Sequence, residues 1–252
     1  MLRLEHLDLR QDDFRLQADL TVPVGARVAV IGPSGAGKST LLIAVAGFFA
    51  PVAGRVLWDG QDLAGRAPGD RPLSILFQDQ NLFPHLTLAQ NLGLGLRADL
   101  RLDAGQRARV EEALQRVGLA GMGARKPAQL SGGQIGRAAL ARALLRERPL
   151  LLLDEPFAAL GPALKAEMLD LVAELADGAT VLMVTHEPAD ARRFADQTIL
   201  VADGIAHAPR PTAELFAHPP PALRAHLGIY AKKNPRRSGG FHQLCRIRRA
   251  FC

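Results

Sequence analysis

The sequence predicts an α/β fold, with a parallel sheet built around a phosphate-binding loop and an antiparallel β layer beside it. Three observations carry this. Gly32-Pro33-Ser34-Gly35-Ala36-Gly37-Lys38-Ser39-Thr40 fits G-x-x-x-x-G-K-[ST] at every position. Apolar runs of strand length, such as Leu150-Leu151-Leu152-Leu153, alternate with apolar residues at helical spacing. The N-terminal sixty residues instead alternate apolar and polar and close in glycine turns.

In chain order, Leu2-Arg3-Leu4 and Phe14 to Val22 read as strands, with Gly25 in the turn that follows. Arg27-Val28-Ala29-Val30-Ile31 reads as a buried strand and Leu41 to Ala46 as the start of a buried helix. That is the context a phosphate loop needs. Its glycines let backbone N–H groups turn inward around a polyphosphate, and the helix N-terminus adds partial positive charge. Lys38 is placed to reach the β- and γ-phosphates, and Ser39 to put its hydroxyl on Mg²⁺. Gly54 to Gly60 is a short strand closed by Asp59-Gly60, Pro68 to Pro72 a polar loop, and Ser74 to Phe77 a strand ending at Gln78. Asn81 to Leu96 is leucine-rich but broken by Pro84, Gly93 and Gly95. Val110, Ala113, Leu114 and Val117 fall at helical spacing, stopped by Gly118. Leu164, Met168, Leu171, Val172 and Leu175 mark another helix. Thr180 to Thr185 is a buried strand ending at His186, and Gln197 to Ala202 a strand that turns at Asp203-Gly204. No internal repeat is visible, so the chain supplies one nucleotide domain.

Composition narrows the function. The 252 residues are 48% hydrophobic, enough for a sizeable core, and only 5% aromatic, so that core is aliphatic. No apolar run approaches the roughly 18–20 residues of a membrane span. Arg3, Glu5 and Asp8 predict that no signal peptide is present, hence a cytosolic chain with peripheral membrane contact. The net charge of +6 is local: residues 229–252 hold seven basic and no acidic side chains, which leaves 24 basic against 25 acidic in the rest. That tail is expected to be a disordered extension, with acidic lipid or nucleic acid as the other possible role. Both cysteines, Cys245 and Cys252, lie in it, which excludes a disulfide framework for the domain.

The remaining polar residues fall at strand ends. Asp154 closes the leucine run, where a carboxylate beside the phosphate loop can hold Mg²⁺. Glu155 follows and is suited to polarise a water for attack on the γ-phosphate. Gln78 can bind Mg²⁺ or water, and His186 can bond the γ-phosphate or orient the attacking water; either is also an ordinary strand-end hydrogen-bonder. Leu130-Ser131-Gly132-Gly133-Gln134 forms a second anion site, with Ser131 as the N-cap of a helix over Arg137 to Arg146. Two phosphate-binding helix ends imply either two anions or one site that serves a neighbouring copy.

The order of these motifs resembles the nucleotide-binding subunit of ATP-binding cassette (ABC) transporters, over Met1 to about Ile229. The resemblance implies a P-loop NTPase parallel-sheet core, an antiparallel β layer and a helical signature subdomain over about residues 79–146, with the basic tail from 230 outside the domain. It implies an ATP hydrolase that binds ATP and Mg²⁺. Glu155, His186, Lys38 and Gln78 are then catalytic, and Ser39, Gln78 and Asp154 are the metal ligands. Two subunits would pair head to tail, each ATP lying between one phosphate loop and the partner's signature. Two membrane permease subunits would dock at a groove lined by the segment after Gln78, on the cytoplasmic face of the bacterial inner membrane. A periplasmic solute-binding protein would act indirectly, and no nucleic acid is expected.

Within the family the chain is similar to thiamine-import ATPases, through Ala46-Gly47-Phe48, Arg71 to Gln78, Asn81 to Thr87 and Gln90 to Leu96. Iron(III) or another small solute is the alternative cargo. The chain departs from the family at Ile135-Gly136-Arg137, at Ala158-Ala159-Leu160-Gly161, where the last position is usually aspartate, and at Arg10 to Asp13, which lacks an aromatic to stack on adenine. Phe14 is expected in the core instead. These changes predict reduced cooperativity or turnover, with a hydrolysis-impaired regulatory subunit as the other reading.

Overall fold

In a computed structural model, residues 1–78, 82–158 and 160–227 are described. Eleven strands form one mixed sheet: β1 (Leu2–Gln11), β2 (Phe14–Val22), β3 (Arg27–Ile31), β4 (Ala53–Trp58), β5 (Gln61–Asp62), β6 (Leu73–Leu76), β7 (Leu150–Asp154), β8 (Thr180–Val184), β9 (Gln197–Ala202), β10 (Ile205–Ala206) and β11 (Arg210–Pro211). The order is β5-β4-β1-β2-β10-β9-β3-β8-β7-β6, with β11 on β9. Strands β9, β3, β8, β7 and β6 are mutually parallel, whereas β1, β2, β4 and β5 pair antiparallel. The helices are α1 (Lys38–Ala46), α2 (Leu88–Gly93), α3 (Ala104–Arg116), α4 (Gly132–Leu144), α5 (Pro162–Leu175), α6 (Pro188–Phe194), α7 (Thr212–Ala217) and α8 (Pro221–His226).

The parallel strands read as unbroken apolar runs because both of their faces are buried. Strand periodicity then divides each run between two layers. Val28 and Val30, Leu150 and Leu152, Leu182 and Val184, and Ile199 and Val201 pack with α1 and the leucines of β1 and β2. Ala29 and Ile31, Leu151 and Leu153, Val181 and Met183, and Leu200 and Ala202 pack with Met168, Leu169 and Val172 of α5 and with Ala191 and Phe194 of α6. A third cluster joins Leu88 and Leu92 of α2, Val110 and Leu114 of α3, and Ala138 and Ala141 of α4.

Three elements differ from the expected boundaries. Strand β1 runs on to Gln11, not ending at Leu4. A bulge between Leu4 and Leu7, with His6 at φ 45°, shifts the inward phase from Leu2 and Leu4 to Leu7 and Leu9. Helix α4 begins at Gly132, five residues before Arg137, because Ser131 and Gln134 form a reciprocal capping box. Helix α2, hidden among the glycines, is started by a Thr87–Gln90 capping box. There the fully buried Asn91 ties down the preceding loop: Oδ1 accepts from the Phe83 amide at 2.7 Å, and Nδ2 donates to the carbonyls of Phe83, Leu86 and Thr87. Residues 79–81, Ala159 and the basic tail lie outside the described residues.

Helix α1 is closed by the Gly47 and Phe48 amides on Ala44 and Ile43, and by a side chain from another element. Nη1 of the buried Arg71 donates to Val45 at 2.8 Å and to Ala44 at 3.2 Å. Burial holds this guanidinium below its ordinary pKa, against the pull of Asp62. Arg71→Ala strips a charged donor from two buried carbonyls, so we expect a loss of about 2–3 kcal/mol in chemical denaturation.

Candidate functional site

The polar residues singled out in the sequence leave the sheet at one edge. The loop 32–37 follows β3, Asp154 ends β7, Thr185 and His186 follow β8, and Gln78 lies two residues past β6. These four strands are neighbours and all run the same way, so their carboxyl ends open on a common crevice.

The loop between β3 and α1 is possible only with glycine at two points. A Cβ on Gly32, whose φ is +155°, would overlap the Val201 carbonyl of β9. A Cβ on Gly37, at φ +99°, would sit 2.5 Å from the Phe14 ring. Phe14 is half-buried and packed on the core, as expected; in addition its ring closes off the underside of the loop. Pro33, Ser34 and Gly35 are exposed, while Ala36, Ser39 and Thr40 are half-buried.

Lys38 is 6% exposed, and its ammonium donates to the carbonyls of Gly32 at 3.0 Å and Pro33 at 2.9 Å. Burial pushes its pKa down, while Glu155 and Asp154 pull it up. Ser39 Oγ donates to Asp154 Oδ1 at 2.8 Å, which fixes the first turn of α1 to the end of β7. Hydroxyl and carboxylate oxygens are the hard donors that Mg²⁺ takes, so this pair fits that ion. Gln78 is exposed, and among the described residues it makes no hydrogen bond to Ser39 or Asp154.

Glu155 has φ 44°, a left-handed conformation that costs a non-glycine residue on the order of 1–3 kcal/mol. Its amide bonds the Val184 carbonyl at 3.1 Å, which extends the β7–β8 pairing one residue and turns its side chain away from that of Asp154. Glu155 Oε2 lies 3.1 Å from His186 Nδ1, which donates in the tautomer protonated there. The carboxylate is 23% exposed and the imidazole 50%, so the pair is reachable by water.

At the other helix end, Ser131 Oγ accepts from the Gln134 amide at 3.4 Å, and Gln134 Oε1 accepts from the Ser131 amide at 2.9 Å. Ser131 and Gly132 are exposed, Leu130 and Gln134 half-buried and Gly133 buried. Gly161 is the N-cap of α5 with no side-chain cap; its φ of −65° and the open space around it suit any residue. Gly136 is buried within α4.

Sequence reasoning did not single out three features. One is the lining that a groove of about 340 Å³ draws from outside the expected segment after Gln78: Phe48, Phe77, Arg142 and Arg146 join Phe83 and Leu94. Phe48 is 57% and Phe83 47% exposed, unusual for side chains of this size. The second is the Arg71 clamp. The third is Lys165, a lysine on the core-facing side of α5, three residues before Met168; that spacing was its signal.

Burial raises the Asp154 carboxyl above its ordinary pKa, with Glu155 adding and the Ser39 hydroxyl and Lys38 opposing. Since the folded value exceeds the unfolded one, stability falls as pH climbs through the window between them, and the full cost stands above it. Asp154→Asn removes that cost but keeps an oxygen for Ser39. The nucleotide-free variant should therefore melt above wild type at neutral pH, the gap closing below the ordinary aspartate value of 3.8. Thermal unfolding across pH checks this.

Comparison with known proteins agrees with this geometry. The ABC transporter family matches residues 16–158. A Cereibacter sphaeroides protein named "Thiamine import ATP-binding protein ThiQ" is 71% identical over 90% of this chain and all of its own length. Proteins of the same name from a Ruegeria species and from Yersinia pestis are 60% and 50% identical, over 90% and 85% of this chain and 100% and 92% of their own. A solved structure, the dimeric post-hydrolysis state of the ATP-binding cassette MJ0796 bound to ADP and Pi, superposes with TM-score 0.73 at 31% identity, covering 84% of this chain and 99% of that one. A cassette with these motifs at this sheet edge, matched over more than half its length, belongs to the ATP-binding cassette transporter family.

Proposed function

We propose that this chain is the ATP-hydrolysing subunit of an importer for thiamine or its phosphates. The carrying observation is the shared crevice, in which Ser39–Asp154 and Glu155–His186 flank the buried Lys38. Relatives named for thiamine import, similar over nearly their whole length, support the cargo. We further assign residues 1–229 to the ATPase domain, 79–146 to its helical subdomain and 230–252 to a separate basic tail.

ATP lies with its phosphates on the amides of the 32–40 loop and the N-terminus of α1. Lys38 moves its ammonium from two neutral carbonyls to phosphate oxygens, which restores the charge balance that burial denies it. Mg²⁺, when bound, offsets charge on the phosphate oxygens; Ser39, Asp154 and Gln78 are its ligands. Glu155 accepts the proton of the attacking water. His186, bonded to that carboxylate, orients the water and the γ-phosphate. Lys38 and the loop amides hold the charge that develops on the transferred group.

The N-terminus of α4, Leu130 to Gln134, completes the site of a second copy, since the capping box leaves the Gly132 and Gly133 amides for a phosphate and a solved relative is dimeric. The Phe48–Phe83 groove, lined also by Arg142 and Arg146, suits an amphipathic segment of each of two permease subunits. Among the described residues no helix is long and apolar enough to cross a membrane, in keeping with a peripheral subunit on the cytoplasmic face of the inner membrane. A periplasmic solute-binding protein delivers cargo without touching this chain.

A hydrolysis-impaired subunit is the second reading, favoured by Gly161. Its open space admits an aspartate as N-cap of α5. Gly161→Asp should leave the fold intact and raise the steady-state ATPase rate of the assembled importer; an unchanged rate shows that the glycine is not limiting. Glu155→Gln should abolish turnover and accumulate an ATP-bound dimer in size-exclusion chromatography, whereas near-wild-type hydrolysis removes Glu155 as the base. Restoration of thiamine uptake in cells lacking their own import ATPase, supplied with the cognate permease, tests the cargo. Rescue of iron uptake alone would overturn it.

A further inference from the structure

Behind the Glu155–His186 pair lies a cluster of charges that the proposed chemistry does not use. Lys165, on the second turn of α5, has a side chain only 7% exposed. Its ammonium meets Glu187 Oε1 at 2.5 Å and Asp190 Oδ2 at 3.7 Å, the first from the N-cap of α6 and the second from its first turn. The start of α6 is braced further. Thr185 Oγ1 donates to Asp190 Oδ2 at 2.9 Å and accepts from the Glu187 amide at 3.0 Å. His186 therefore sits between two residues that are each held by side-chain bonds, and both arms converge on Lys165.

The second contact of His186 shows why the cation matters. Its Nδ1 faces Glu155 at 3.1 Å, but its Nε2 lies 3.7 Å from Glu187 Oε1, the oxygen that Lys165 engages. The imidazole is thus placed between two carboxylates. While Lys165 neutralises one of them, the short contact is with Glu155. Consistently, Lys165 pulls the Glu187 carboxyl below its ordinary range, while burial lifts that of Asp190. Placing an ammonium here carries a desolvation cost, which the flanking carboxylates offset.

We propose that Lys165 is a positioning residue for hydrolysis: it anchors the 185–190 segment to α5 and so keeps His186 on Glu155. Helix α5 begins seven residues after Glu155 and packs against α6. Lys165 thereby ties the loop after β7 to the loop after β8, the two segments that carry the dyad. It touches no residue of the phosphate loop, so its removal affects the chemical step and leaves nucleotide binding alone.

This inference rests on Glu155 and His186 acting in hydrolysis, and the experiment separates the two ideas. ATP hydrolysis by the assembled importer is measured for wild type, Glu155→Gln, Lys165→Met, Lys165→Arg and the double variant Lys165→Met, Glu187→Gln. Lys165→Met should lower kcat by about tenfold or more with KM for ATP within about twofold, and Lys165→Arg should retain kcat within about threefold. Lys165→Met leaves Glu187 and the mostly buried Asp190 without their cation and is at risk of misfolding. The double variant removes both charges; it should keep a wild-type melting temperature yet remain about tenfold slow, because the anchor is still missing. Wild-type kcat in the double variant, or a KM that rises in step with the loss of kcat, overturns the anchoring role. Turnover by Glu155→Gln would instead reject the underlying catalytic reading.

Discussion

Burial of both faces of the central parallel strands is the constraint on which the rest depends. Strands β3, β8 and β7 carry apolar side chains to α1 on one side and to α5 and α6 on the other. Both faces are predominantly apolar, with only hydroxyls such as Thr180 and Thr198 buried among them, so charged chemistry is displaced to the strand ends. The loop 32–37, Asp154, Glu155 and His186 all emerge where the strands stop. A single layer spacing thus fixes the distance between side chains far apart in sequence, such as Ser39 and Asp154.

The same packing makes electrostatics at this edge expensive. Lys38 and Asp154 are both more than nine-tenths buried, and burial pushes each toward its neutral form. In a structure held only by its own groups, that is a standing cost. On the proposed function, a polyphosphate would supply opposite charge to Lys38, and a metal held with it would do so for Asp154. The phosphate crevice is therefore poised to be more stable with ligand than without, by ordinary mass action. Glu155 adds strain of a different kind: its left-handed backbone is tolerated because its amide prolongs the β7–β8 ladder.

Most of this was legible in the sequence, for a physical reason. Buried parallel strands must be largely apolar, so Leu150 to Leu153 and Val181 to Val184 announce themselves, and the polar residues that follow each mark the site. Legibility failed where periodicity is broken or where one residue answers to distant partners. The bulge at His6 reverses the phase of β1, so its second half looks out of register. The glycines around α2 conceal a helix whose start depends on a capping box and on Asn91. Arg71 and Lys165 have no local sequence pattern that names their partners. Only the fold reveals that one closes α1 and the other lies beneath the dyad.

Helix α5 joins these points. Its N-cap is Gly161, which offers no side chain to the exposed first amides, so that end is held weakly. One turn later Lys165 is fixed by two carboxylates in a nearly dry setting. The helix is therefore anchored to His186 more firmly than to the loop that joins it to Glu155. An aspartate at the N-cap would give both ends of that connection a polar tether. In this chain the geometry of the dyad must depend more heavily on the lysine. The departure at Gly161 and the buried charge at Lys165 are then two parts of one arrangement, the first leaving slack that the second takes up.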